Sequence, residues 1–360
     1  MPDISLVVSD CKIALRNMAE RGQFVHSVLC DPPYGLLSIV NRFGKNQAAA
    51  RVEGTDGSFA RLSGGFMGRQ WDGSGIENDP TFWSLVKDVM LPGAYLLAFS
   101  SPRTGHRMAC AIEDAGFVMH PFIGWAYGSG LPKQKDAELF IGREDRERAK
   151  DWRGYAYGAQ ARRPALEPIY VAQKPFSERN GALNILKHGV GAVNIDGCRN
   201  ERGNHPANLI SDGSIENHHL FERHTYVCDT CSDKGWVVEG YNAEAIQAAC
   251  PDCMGECGDP FPFADQRVFY APKAGKEDRA GSDHPTVKPI RLLRSLVRHI
   301  TPLGGTVLDP FAGTGTTGAA AALEGFNSIL IEREWDYAGD IARRFNMDLG
   351  VSRLISRLSE

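Results

Sequence analysis

Apolar residues in this chain fall into short runs set off by turn-forming residues, and their spacing shifts between helical and strand-like. Residues 11–21 (CKIALRNMAER) predict a short helix. Phe24–Cys30 is a compact apolar run that predicts a buried strand and ends at Asp31-Pro32-Pro33-Tyr34. A helix over Thr81–Met90, a strand over Ala94–Ser100, a helix near Arg103–Ala115 and a strand near Phe117–Trp125 follow. Glu167–Ala172 is again strand-like. Pro289 opens a helix in which Leu293, Leu296, Val297 and Ile300 recur on one face. The last stretch predicts a strand (Thr306–Leu308), a small-residue helix (Thr316–Glu324), a strand (Ser328–Ile331) and a helix from Trp335. Such alternation predicts an α/β fold around a mostly parallel sheet.

The alternation lapses twice. Residues 35–75 are rich in Gly, Ser and Arg, longer than an ordinary connection, and predict a mobile loop with a function of its own. The second lapse, 128–280, holds a mixed-charge segment, a Gly/Asn-rich run with Arg199, Arg202 and Asn204, and a cluster of cysteines. The predicted organisation is therefore a first half-domain at 1–127, a middle region at 128–280 with an insertion at 225–258, a second half-domain at 281–348, and a tail at 349–360.

Composition narrows the class. At 42% hydrophobic and 23% charged, the 360 residues can fill a sizeable core, which excludes a wholly disordered chain. A net charge of −4 excludes a broadly basic binder, so nucleic-acid contact would rest on local patches. No run approaches the roughly 18 apolar residues of a membrane span, and MPDISLVVSDCK lacks the layout of a signal peptide. These features predict a cytoplasmic protein with no membrane partner. Arg291, Arg294 and Arg298 lie opposite the apolar face of the Pro289 helix, as a solvated face or as phosphate contacts.

Nine cysteines make an odd count, and five crowd into 228–257. Cys228-x2-Cys231, then 18 residues, then Cys250-x2-Cys253 has zinc-ribbon spacing, in which each pair presents two thiolates to one tetrahedral ion. No position is left open for water, so the expected Zn2+ is structural. Cys257 is a fifth candidate. Cys30, Cys110 and Cys198 are expected to be passive.

Two segments carry candidate chemistry. Asp309-Pro310-Phe311-Ala312-Gly313-Thr314-Gly315-Thr316-Thr317-Gly318 lies between a predicted strand and helix and satisfies G-x-G-x-x-G. Nicotinamide, flavin and S-adenosylmethionine sites all use such loops. Glu332, ending the next strand, suits a ribose diol. Asp309 would repel a pyrophosphate but suits the cationic methionyl end of S-adenosylmethionine. Phe311, Gly313, Gly315 and Thr316 are the loop's other candidate cofactor contacts.

Asp31-Pro32-Pro33-Tyr34 is the second segment. An exocyclic amine on adenine or cytosine is a poor nucleophile because its lone pair is delocalised into the ring. A carboxylate and a backbone carbonyl, each accepting one N–H, draw that nitrogen toward tetrahedral geometry, and an aromatic face holds the base. Asp31 offers the carboxylate, Pro32 a carbonyl fixed by the rigid Pro32-Pro33 unit, and Tyr34 the aromatic face.

Together these motifs resemble the DNA amino-methyltransferases, which pair (Asp/Asn/Ser)-Pro-Pro-(Tyr/Phe) with Asp-Pro-Phe-x-Gly-x-Gly. The catalytic motif comes first here, as in the permuted β class. Asp10-Cys11 and His284-Pro285-Thr286-Val287-Lys288-Pro289 are similar to that class as well, while Tyr127–Lys133 and Arg202–Ile210 resemble a phage and prophage branch. The resemblance covers about 1–210 and 262–346, with the cysteine-rich segment as an addition. It implies a Rossmann-like methyltransferase fold with an inserted recognition region. It also implies S-adenosylmethionine as cofactor, double-stranded DNA as partner, and a target base flipped out of the duplex. Asp10 becomes a candidate partner for the cofactor's adenine amine, and Lys288 a residue flanking its methionine moiety or a solvated lysine. Arg42, Lys45, Arg51, Arg61 and Arg69 are candidate phosphate contacts. The aspartate at position 31 favours N6 of adenine, with N4 of cytosine as the alternative. A catalytically idle, zinc-containing DNA-binding protein on the same scaffold is a further alternative, and an NAD-dependent oxidoreductase leaves the Asp-Pro-Pro-Tyr segment unexplained. A homodimer and a companion restriction endonuclease are also implied by the resemblance.

Overall fold

A computed structural model describes residues 2–34, 75–127, 130, 132–162, 164–199, 203–211, 236–239, 246–249, 269–270, 274–284 and 286–347. Its strands are β1 (Ile4–Val8), β2 (Val25–Cys30), β3 (Met90–Phe99), β4 (Val118–Ala126), β5 (Lys133–Asp136), β6 (Ala156–Gln160), β7 (Leu166–Gln173), β8 (Leu209–Ser211), β9 (Trp236–Glu239), β10 (Ile246–Ala249), β11 (Phe269–Tyr270), β12 (Thr306–Asp309) and β13 (Asn327–Glu332). The longer helices are α1 (Cys11–Glu20), α2 (Pro80–Asp88), α3 (Gly105–Asp114), α4 (Gly181–His188), α5 (Ile290–Ile300), α6 (Thr316–Leu323) and α7 (Trp335–Phe345).

Nine strands form one sheet in the order β1-β13-β12-β2-β3-β7-β4-β8-β11. Only β7 opposes its neighbours, pairing antiparallel with both β3 and β4; the other adjacent pairs are parallel. The sheet is therefore mostly parallel, as the alternation predicts. It draws on the first, middle and last thirds of the chain. β12, near the end of the sequence, lies directly beside β2, near its start, with Val307 opposite Ser27 and Leu308 opposite Val28.

Helices cover both faces, so the central strands are apolar on both sides. Val28, Cys30, Leu96 and Ala98 turn toward α1, α2 and α3 and pack with Leu15, Phe82, Trp83 and Met108. The alternating positions Leu29, Leu97 and Phe99 point the other way and pack with Leu292, Leu293, Leu296, Val297 and Ile300 of α5. Ile341 of α7 meets Leu330 and Ala312 in a smaller cluster.

Three expectations need correction. β1 is not marked by the sequence pattern, because Ile4–Val8 is a short edge strand with no fully buried position. β3 starts at Met90, four residues before the expected Ala94: Gly93, at φ +86°, absorbs an irregularity that lets the ladder run through Pro92-Gly93. The arginine face of α5 is only partly solvated: Arg291 is exposed, whereas Arg294 and Arg298 are half-buried and paired within the fold. Arg294 Nε and Arg298 Nε donate to the Glu324 carboxylate at 2.7 and 2.6 Å, and Arg298 Nη1 also donates to the Gly197 carbonyl at 3.2 Å.

No helix among the described residues is long and apolar enough to cross a membrane. Arg42, Lys45, Arg51, Arg61 and Arg69 in the 35–75 loop, Arg202, the tail 349–360, and Cys228, Cys231, Cys250, Cys253 and Cys257 lie outside the described residues.

Candidate active site

Ligands of an open parallel sheet bind beyond the carboxyl ends of its strands, where neighbouring loops diverge. Here β2 and β12 run side by side, so the segments that follow them open at the same edge. A cavity of about 650 Å3 lies there, walled by Asp31–Tyr34 on one side and by Asp309–Gly313 with Glu332 on the other. Asp10, Thr316 and Lys288 also line it. Residues about 275 positions apart in sequence thus share one space.

At the glycine end, local backbone geometry builds the wall. Gly315 caps α6 at φ +77°, a left-handed conformation that strains any residue with a Cβ, and Gly313 sits at φ +53°. A Cβ on Gly318 would stand 2.7 Å from Leu330 Cδ1, so glycine permits the close approach of α6 to β13. Thr316 begins the helix and is buried; Phe311 packs against the Phe82 ring at 5.2 Å.

Two acids are buried at this end. Asp309, 3% exposed, accepts from the Phe311 N–H at 3.0 Å and from the Thr317 hydroxyl at 2.6 Å. Glu332 accepts from the Gly313 and Glu334 N–H groups, each at 2.8 Å. Burial pushes both carboxyls up to about 7, against the pull of those hydrogen bonds. Among the described residues neither acid has a cation within ion-pairing distance. Asp10 ends the β1 connection and caps α1, its Oδ1 accepting from the Lys12 and Ile13 N–H groups, so one oxygen is committed to the fold.

The opposite end is built differently. Asp31, Tyr34, Glu167 and Lys288 form one contiguous cluster. Lys288 Nζ donates to Asp31 Oδ2 at 2.8 Å and to the Tyr34 oxygen at 3.0 Å, and pairs with Glu167 Oε1 at 2.8 Å. The Tyr34 hydroxyl lies 2.8 Å from Asp31 Oδ1 and also within hydrogen-bond reach of Glu167 Oε1. The ammonium stands 5.3 and 4.9 Å from the centroids of the Tyr34 and Phe99 rings. Thr104 donates to the Tyr34 carbonyl at 2.8 Å and fixes the backbone beyond the two prolines.

The charges in this cluster determine each other. Burial raises the Asp31 carboxyl, Lys288 pulls it back, and Glu167 raises it again; the net direction is upward. Burial lowers the Lys288 ammonium, but the Asp31 and Glu167 carboxylates outweigh it and hold it above the usual lysine range. Burial and both carboxylates raise the Tyr34 phenol well above its ordinary value, so it keeps its proton. Beside them the buried Cys30 thiol is likewise raised, by burial and by the neighbouring Asp309 and Asp31 carboxylates.

Of the two expectations for Lys288, a solvated lysine is corrected: at 8% exposure it lines the cavity with its ammonium engaged by Asp31, Tyr34 and Glu167. Glu167 is a site residue the motifs do not reveal. Its one sequence signal is an acid inside the otherwise apolar run Leu166–Ala172. Among the described residues no group of three or more His, Cys, Asp or Glu side chains is placed to hold a metal.

The sequence model of the N6/N4 methyltransferase family, described as DNA methylase, matches residues 25–343. The Type II methyltransferase M.HindIII of Haemophilus influenzae is 24% identical over 235 residues, which are 65% of this chain and 57% of that protein. The Type II methyltransferase M2.MboI of Moraxella bovis is 35% identical over 79 residues, 22% of this chain and 29% of that protein. The chain thus spans little more than half of the first of these curated relatives and less than a third of the second. Among solved structures, the M1.HpyAVI–SAM complex aligns with a TM-score of 0.47 at 16% identity, over 96% of this chain and all of that one. The cytosine-N4-specific PvuII DNA methyltransferase aligns at 0.46 and 14% identity, over 99% of this chain and 91% of the other.

Proposed function

The chain belongs to the N6/N4 DNA methylase family, and from that premise we propose that it is a site-specific DNA methyltransferase. It would use S-adenosylmethionine to methylate the exocyclic N6 of an adenine flipped out of double-stranded DNA. The observation that carries this reading is the shared cavity, with an acidic glycine-turn end and an Asp-Pro-Pro-Tyr end. The order of the two motifs along the chain, Asp31 before Gly313, supports the permuted class, and the phage-like segments support that branch.

The residues at the glycine end fit the donor. Two buried acids without a counter-cation suit a ligand with a cationic end and a diol, with Asp309 toward the former and Glu332 toward the latter. S-Adenosylmethionine supplies a methyl group on a positively charged sulfur that departs as a neutral thioether. Gly313 and Gly315 let the backbone approach such a ligand closely. At the other end the Asp31 carboxylate and the Pro32 carbonyl would each accept one N–H of the target amine, localising its lone pair toward the donor. The Tyr34 ring would hold the base. As the nitrogen gains the methyl carbon it takes on positive charge, which the adjacent Asp31 carboxylate stabilises until a proton leaves.

Methyl transfer to duplex DNA, followed by digestion to nucleosides, tests the reading. N6-methyladenosine in its deoxy form is expected; N4-methyldeoxycytidine would change the target base; no labelled nucleoside from any DNA would overturn the enzyme in favour of an idle DNA-binding scaffold.

The reading includes a structural Zn2+ on Cys228, Cys231, Cys250 and Cys253. In its support, β9 and β10 pair antiparallel with Ala249 opposite Trp236, and in the sequence one Cys-x-x-Cys pair precedes β9 while the other begins directly after β10. The donor set, four thiols in two knuckles, suits Zn2+. Metal analysis should give about one zinc per chain.

A further inference from the structure

The cluster at the Asp31 end has more hydrogen-bond contacts than hydrogens to fill them. Asp31, Tyr34, Glu167 and Lys288 make five contacts among themselves: Lys288 to each of the other three, and Tyr34 to both carboxyls. An ammonium brings three hydrogens and a phenol one. With both carboxylates ionised, one oxygen–oxygen contact of Tyr34 would be two lone pairs facing each other in a buried site. One additional proton on either carboxyl fills the fifth contact. It also brings the cluster from a net charge of −1 to neutral, the state that burial favours.

We propose that Asp31 and Glu167 share one proton in the free protein, and that an N–H of the target amine takes that proton's place. When the amine donates to Asp31 Oδ1, Tyr34 turns its single hydrogen to Glu167. The Tyr34 oxygen then gives up its contact with Asp31 Oδ1, and the four remaining contacts and the amine's own bond to Asp31 are filled by five hydrogens with both carboxylates ionised. Docking the base therefore expels one proton to solvent and leaves Asp31 anionic, as amine activation requires. Glu167 touches neither donor nor base in this account; it is a positioning residue that acts through Tyr34 and Lys288 on the charge of Asp31.

The groups facing the pair are Lys288 from the segment before α5, Tyr34 from the loop after β2, Asp309 from the end of β12 and the Cys30 thiol from β2. Lys288 is the one cation among them. The upward displacement of the Asp31 carboxyl agrees with a retained proton. The proposal rests on the methyltransfer reading, and its tests separate the two.

In wild type, kcat/KM for DNA should fall about tenfold per pH unit below a single-proton limb. Binding of DNA to the protein holding a donor analogue should release about one proton, measured by calorimetry in two buffers of different ionisation enthalpy. Glu167→Gln removes one of the two carboxylates, so the cluster is neutral without an additional proton, and the activity that remains should lose the limb and the proton release. Lys288→Met, which removes the cation, should move the limb to higher pH. A Glu167→Gln profile and proton release matching wild type would overturn the proposal while leaving the methyltransferase standing. Infrared spectroscopy of the free protein provides a readout independent of activity. A protonated-carboxyl band that weakens by one carboxyl in Glu167→Gln, leaving the share of Asp309 and Glu332, supports the shared proton, and an unchanged band contradicts it, whether or not any DNA is methylated.

Discussion

The two ends of the cavity each bury a pair of carboxyl groups, but they deal with the charge in opposite ways. Asp309 and Glu332 lean on backbone N–H groups and one hydroxyl, with no cation of the described residues in ion-pair contact. Asp31 and Glu167 close around Lys288. A pair left without a counter-ion is poised for a ligand that brings positive charge. A pair already compensated is poised for a neutral ligand that brings hydrogen-bond donors. One fold edge thus offers complementary places for a sulfonium donor and a neutral amine, and what separates them is a single lysine.

The sharpest way to break this comparison is to remove Asp31. Asp31→Ala should lower methyl transfer by at least ~100-fold, the scale of losing one oriented partner of a developing charge. Binding of a donor analogue, whose acids lie at the other end, should change by less than about twofold. An equal loss of both would mean that the ends are not separate.

A smaller effect sharpens the other side. With Asp309 and Glu332 raised to about 7, each is partly protonated in the free protein near neutral pH. A cationic ligand lowers those values, so donor binding at pH 7 should release roughly half a proton or more, and affinity should weaken as pH falls below 7. The sign for stability follows from the same shifts. The folded free protein holds protons on these acids that the unfolded chain has already lost between pH 4 and 7. Their contribution to stability is therefore fully present at the acid end and declines as pH rises through about 7. Calorimetry in two buffers and denaturant titrations across that range measure both; proton uptake on donor binding would reverse the assignment.

The smallest effect lies outside the cavity. Arg298→Ala should cost about 1 kcal/mol, because its partly exposed guanidinium grips Glu324. It should leave the salt dependence of DNA binding unchanged. A shallower salt slope would return α5 to the DNA surface.

The chemistry was legible in sequence where one short segment carries it whole. Asp31–Tyr34 and Asp309–Gly318 state their residue types within a few positions, and the alternation of strands and helices gives the sheet that brings them together. Glu167 was not legible because a single acid in an apolar strand has no local partner; its partners arrive from residues 31–34 and 288. Lys288 is visible as a lysine in a family-like segment, but its burial depends on Phe99, Tyr34 and Glu167, which no spacing rule connects. The arginines of α5 show the same limit from the other side. Their periodicity marks a polar face correctly, yet only the position of Glu324 decides that two of them are held within the fold.

A structure of the protein with a donor analogue and a duplex containing its target site tests the two-ended cavity most directly. The account predicts the analogue's amino-acid end against Asp309 and an extruded base whose amine lies about 3 Å from the Asp31 carboxylate. An analogue seated between Asp31 and Lys288, or a base bound anywhere else, would contradict it.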